Sequence, residues 1–113
     1  MDSRVQAVLD FMRINLHRNL SIDDLARSVE LSRSRLFILF KTEVGTSPMQ
    51  HLKTLRMQKA HELLKTSLLG VKEIAGKVGY NDDSHFMRDF KKTYRLTPSE
   101  HRANYLPLIL NKD

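Results

Sequence analysis

The chain carries one short pattern twice, and few folds accommodate that. Leu25-Ala26 followed by Val29-Glu30 returns as Ile74-Ala75 followed by Val78-Gly79, 49 positions later. One residue is then gained. At an offset of 50, Leu36 matches Phe86, Phe40-Lys41 matches Phe90-Lys91, and Ser47-Pro48 matches Thr97-Pro98. Each copy reads as two short amphipathic helices joined by a tight turn, the helix-turn-helix pattern. In the first copy Ser21 caps a helix that turns Ile22, Leu25, Ala26 and Val29 inward, Ser32 caps the next, and Gly45 lies just past its end. In the second, Leu69-Gly70 breaks the chain before Val71, Ile74, Ala75 and Val78, and Asn81 or Asp82 caps the following helix. Thr97-Pro98-Ser99-Glu100 makes a capping box for a last helix.

Between the copies lies Ser47 to Thr66, which reads as one uninterrupted helix. Ser47 caps it, Pro48 suits its first position, and Gln50 sits where a capping-box partner reaches back. Leu52, Leu55, Ala60, Leu63 and Leu64 approximate helical spacing, with Lys53, Arg56, Lys59 and Lys65 between them. At about 1.5 Å per residue such a helix spans roughly 30 Å, close to the roughly 34–36 Å between successive major-groove faces of B-DNA. It reads as a spacer between two similar units. Ahead of the first copy, residues 3–17 place Val5, Val8, Leu9, Met12 and Leu16 on one face of a further helix, with Asn19 as its stop.

The expected fold is therefore all-α, with about seven helices in two helix-turn-helix subdomains joined by a long connecting helix. The boundaries fall at 1–46 for the first subdomain, 47–66 for the connecting helix, 67–104 for the second subdomain and 105–113 for a tail. A net charge of +6 favours an anionic partner, nucleic acid or a membrane surface. The basic residues are spread over several helices rather than along one amphipathic face, which disfavours the membrane. The absence of cysteine excludes disulfides and cysteine-based zinc sites and fits a reducing cytoplasm. No apolar run is long enough to cross a bilayer. His17, His51, His61, His85 and His101 are scattered without the spacing of a metal site. With no glycine-rich phosphate loop, nucleophile elbow or carboxylate pair, no enzyme, metal or cofactor is expected.

Taken together, these residues resemble the DNA-binding domain of AraC/XylS-type bacterial transcription regulators. The likeness runs from about Leu20 to Arg102. It rests on Leu25-Ala26, Ser32, Leu36, Phe40-Lys41, Gly45, Ser47-Pro48, Arg56, Ala60 and Leu63-Leu64 in the first part. Ile74-Ala75, Val78-Gly79-Tyr80, Ser84-His85-Phe86, Arg88, Phe90-Lys91-Lys92, Thr97-Pro98 and Arg102 carry it in the second. The resemblance implies seven helices, two of them entering successive major grooves on one face of DNA. Three departures stand out. Glu30 occupies a turn position where glycine is common, at a cost of about 1 kcal/mol if φ is positive there, so the first subdomain is expected to be the less stable. Arg95 replaces a glycine, and His85 and His101 stand where tyrosine is frequent.

A helical wheel divides the two second helices. Leu36, Leu39 and Phe40 form one buried side, opposite Ser34, Phe37, Ile38 and Lys41. Phe86 and Phe90 are buried in the other, opposite Ser84, Met87, Arg88 and Lys91. The resemblance places the outward positions against DNA, with Ser34, Phe37, Ile38, Asp83, Ser84, Met87 and Arg88 as base readers. Arg88 suits guanine O6 and N7, Asp83 suits cytosine N4, and Phe37 and Ile38 suit thymine methyl groups. Arg33, Lys41, Lys91 and Lys92 suit phosphates, as do the helix starts at Ser47 and Thr97. The expected function is sequence-specific binding of duplex DNA in transcription regulation, in the cytoplasm, with RNA polymerase as a further partner. The chain is expected to bind as a monomer, with a sensor or dimerisation domain only in a longer parent. The rival reading is a helical protein–protein adaptor docking on the transcription machinery, for which the outward Phe37 and Ile38 speak.

Overall fold

The computed structural model describes residues 1–111, which form seven helices: α1 Ser3–Ile14, α2 Ile22–Ser28, α3 Arg33–Val44, α4 Pro48–Thr66, α5 Val71–Lys77, α6 Asp83–Tyr94 and α7 Pro98–Leu110. The chain divides into two compact units, Met1–Leu55 and Arg56–Asp113, and the division falls inside α4. In the first unit Val5, Val8 and Met12 of α1 meet Leu25 of α2, Leu36 and Phe40 of α3 and Leu52 of α4 in one core. In the second, Met57, Ala60 and Leu64 of α4 surround themselves with Ile74, Ala75, Val78, Phe86 and Phe90. Met57, three and seven positions ahead of Ala60 and Leu64 and so on their face of the helix, is fully buried with them although it is not among the leucines and alanine expected to face inward.

Helix starts follow side-chain chemistry closely. The Ser21 hydroxyl accepts from the Asp24 amide at 3.2 Å, and the Asp24 carboxylate accepts from the Ser21 amide at 2.8 Å. That amide, with the Ser21 hydroxyl and Arg27 adding to it, holds the Asp24 carboxyl below its usual range. At the equivalent place in the second unit Gly70 has no side chain to give, but Glu73 still accepts from its amide at 3.3 Å. Ser47 accepts from the Gln50 amide at 3.3 Å, and Asp82, not Asn81, caps α6 by accepting from Ser84 at 2.8 Å.

Two ends depart from expectation. α1 stops at Ile14, three residues before the sequence pattern does, because both the amide and the side chain of Asn15 bond the Phe11 carbonyl, at 3.0 and 2.9 Å. A side chain competing for a helical carbonyl in this way closes the helix early. Leu16 still packs against the core from the turn that follows. At the other end α7 runs on to Leu110, through most of the stretch expected as a tail. Pro107 lies in its last turn, where it brings no amide for the carbonyl four residues back, and its own carbonyl accepts from Asn111 at 3.0 Å.

Turns repeat as faithfully as helices do. After α2 the Leu31 amide reaches back to the Ala26 carbonyl at 3.0 Å, and after α5 Tyr80 reaches Ala75 at 2.9 Å. Each is a Schellman closure that needs a left-handed residue before it. Glu30, with φ 56°, serves in the first unit and Gly79, with φ 93°, in the second. At the end of the following helix the roles reverse, with Gly45 at φ 92° and Arg95 at φ 71°. Each unit thus holds one side-chain-bearing residue in the left-handed region. The backbone cost falls on both and gives no ground for ranking the first unit as the weaker.

Candidate functional site

α3 and α6 divide as their wheels predict. Leu36 and Phe40 are fully buried, as are Phe86 and Phe90, while Leu39 is half-buried against the core. Ser34, Lys41, Ser84, Arg88 and Lys91 are exposed, and so are the large apolar side chains Phe37 (44%), Ile38 (64%) and Met87 (42%). The register of α3 is therefore settled: its two outward apolar residues do not belong to the core.

On the first unit Phe37 and Ile38 join Ile22, Arg33 and Ser34 around a shallow cleft. Lys41 folds over the Phe37 ring, its Nζ 5.6 Å from the centroid, within cation–π range. Arg33 is not idle: its Nε lies 3.4 Å from the Asp23 carboxylate, so an anion on Arg33 competes with that ion pair. In salt and water an exposed pair of this kind contributes about 0–1 kcal/mol and gives way readily.

The second unit stiffens its α6 face from beneath. Tyr80 donates its hydroxyl to Asp89 Oδ2 at 2.6 Å, and His85 Nε2 stands 3.2 Å from the same oxygen. Burial, and then the bond to Asp89, pushes the Tyr80 hydroxyl well above its usual range, so it remains a donor. The Tyr80 ring also meets His85 and Phe86 edge-on, each at 5.3 Å. Burial lowers Arg56, which the Tyr80 oxygen opposes. Asp83 is half-buried in the first turn beside the capping Asp82, where negative charge suits the helix dipole.

The two helix starts expected to hold phosphate differ. The Thr97 amide donates to the Glu100 carboxylate at 3.0 Å, and the Glu100 amide in turn donates to the Thr97 hydroxyl at 3.1 Å, so this end of α7 already holds a carboxylate. That amide, with the Thr97 hydroxyl helping, holds the Glu100 carboxyl below its usual range. A phosphate at Thr97 would meet that negative charge. Ser47 carries no such charge at its third position.

One residue of consequence has no local signal. Arg102 donates from Nε to the Leu64 carbonyl at 2.8 Å and from Nη2 to the Leu69 carbonyl at 2.7 Å. It satisfies a helix-end carbonyl that α4 leaves open and fastens the loop after it to α7. Its partners lie 38 and 33 positions away, beyond any periodicity. Next to it His101 is buried against His61, Phe90, Tyr94 and Tyr105, and neither of its ring nitrogens has a hydrogen-bond partner among the described residues. Burial, and then the neighbouring His61 and Lys65, hold His101 below the ordinary imidazole value. Among the described residues no three His, Cys, Asp or Glu side chains gather as a metal site needs, and no helix is long and apolar enough to cross a membrane.

The family model of a helix-turn-helix domain matches residues 25–104. The lactose operon transcription activator of Staphylococcus xylosus is 34% identical over 101 residues, covering 89% of this chain and 36% of its own length. The chain thus spans about a third of the length of the curated relatives it matches. A transcriptional regulator from Chromobacterium violaceum, described among AraC-type DNA-binding domain-containing proteins, superposes with TM-score 0.83 at 30% identity, over 91% of this chain and 92% of that one. The DNA-binding domain of the global transcriptional factor AdpA, solved in complex with a target DNA, gives TM-score 0.88 at 27% identity, over 95% and 96%.

Proposed function

The chain belongs to the AraC-type helix-turn-helix regulators, and on that premise we propose that it binds a specific duplex DNA site as a monomer. One observation carries the reading. The two repeats expose the same positions of α3 and α6 while burying the same two aromatic or aliphatic anchors beneath them. Each exposed set mixes small polar, apolar and basic side chains, the range that base edges and phosphates require. In this reading α3 and α6 enter successive major grooves. Ser34, Phe37 and Ile38 face bases in one, and Asp83, Ser84, Met87 and Arg88 in the other. Lys41, Lys91, Lys92, Arg33 and Ser47 take phosphates, Arg33 by exchanging Asp23 for the backbone. Binding rather than catalysis is the activity, the cytoplasm the compartment, and RNA polymerase a second partner at the regulated promoter.

A salt titration tests it. Each neutralised phosphate contributes about −0.9 to the slope of log affinity against log salt. Lys91→Ala is expected to reduce that slope by roughly one and weaken all sequences alike. Arg88→Ala is expected to relax preference at guanine positions instead. Salt-independent affinity, or no duplex bound near 50 mM salt (about the low end of the usual range), defeats the reading.

A further inference from the structure

We propose that the two units read opposite chemistries, the first recognising the 5-methyl groups of thymine through Phe37 and Ile38, the second a polar base edge through Arg88. The inference rests on the DNA-binding reading above and deepens it. Phe37 and Ile38 are adjacent, exposed, and held outward by the buried Leu36 and Phe40. With Ile22 they make an apolar cleft whose rim carries Arg33, Ser34 and the Lys41 ammonium. A basic rim around a small apolar floor matches a methyl group set among phosphates. In the major groove the thymine methyl is the one apolar feature a base presents. A protein partner fits less well: a stable interface takes about 800 Å² from each side, and two adjacent apolar side chains beside Arg33 and Lys41 fall far short. At the matching positions of α6 stand Met87 and Arg88, so the second unit trades one apolar contact for a guanidinium.

The probe is duplex DNA enriched by the whole chain from a random-sequence pool, then remade with deoxyuridine in place of thymidine, one position at a time. Uracil keeps every hydrogen-bonding group of thymine and lacks only the methyl. Within one half of the site, each substitution at a contacted thymine is expected to weaken the parent about threefold to fivefold, the worth of one buried methyl. Phe37→Ala and Ile38→Ala are each expected to become indifferent to some of those substitutions. Should Phe37→Ala lose its helical circular dichroism, Ile38→Ala, at the more exposed position, decides alone. A parent indifferent to uracil overturns the methyl assignment while leaving DNA binding in place. Equal sensitivity in parent and variants overturns it too, since the methyl is then read elsewhere. If the chain enriches no duplex at all, the DNA-binding reading falls and takes this inference with it.

Discussion

Glu30 shows how far a single residue can be judged from its neighbours. Its place in the repeat says glycine, its identity says cost, and the structure gives φ 56°. Replacing it with glycine removes a left-handed strain of about 1–2 kcal/mol but adds unfolded-state freedom worth about 0.4–1 kcal/mol. Glu30→Gly is therefore expected to stabilise the first unit by up to about 1 kcal/mol, read as a higher midpoint in urea unfolding. A midpoint that falls means the Glu30 side chain makes a compensating contact. Caps and left-handed turns were legible because their chemistry spans three or four residues. Asn15 was not, since its side chain could equally have pointed to solvent. Arg102 was visible as a family anchor but not as a clamp, because Leu64 and Leu69 are distant in sequence and offer only main-chain carbonyls.

Between elements, the contact of α7 with α4 brings together two histidines that burial holds below their ordinary value. The His61 and His101 rings meet tilted by 51° with centroids 4.3 Å apart, and burial is the main cause that lowers each. A histidine depressed in the folded state favours folding fully above its unfolded value of about 6.5 and loses that contribution as pH falls below it, because the unfolded chain takes up the proton first. Thermal unfolding of the second unit is expected to shift downward between pH 7.5 and about 5.5, and His101→Phe is expected to flatten much of that shift. Parallel curves for parent and variant would place the sensitivity elsewhere, with His51 of the first unit the next candidate. The two histidines read as scattered in sequence because 40 positions separate them, and only the return of α7 brings their rings into contact.

Across the whole chain, the boundary between units falls at Leu55 and Arg56, inside a single 19-residue helix. The connecting helix was the easiest element to read, yet its register was only half legible. Leu52 serves one core and Met57, Ala60 and Leu64 another, so no one apolar stripe runs its full length. Lys59 is exposed, and a proline there removes the amide bond back to Leu55, at the boundary itself. Lys59→Pro is expected to cost about 3 kcal/mol or more of helix stability, to leave both cores folded by near-ultraviolet dichroism, and to drop affinity for the enriched duplex towards that of half a site. Undiminished affinity in a folded variant would remove α4 from any role in spacing. The shared helix also bears on how the chain folds. Starting a helix is the improbable step, with a nucleation constant near 10⁻³, and extending one is easy. Whichever core forms first hands its partner a helix already begun, so the two units, separate as cores, are coupled as events in time.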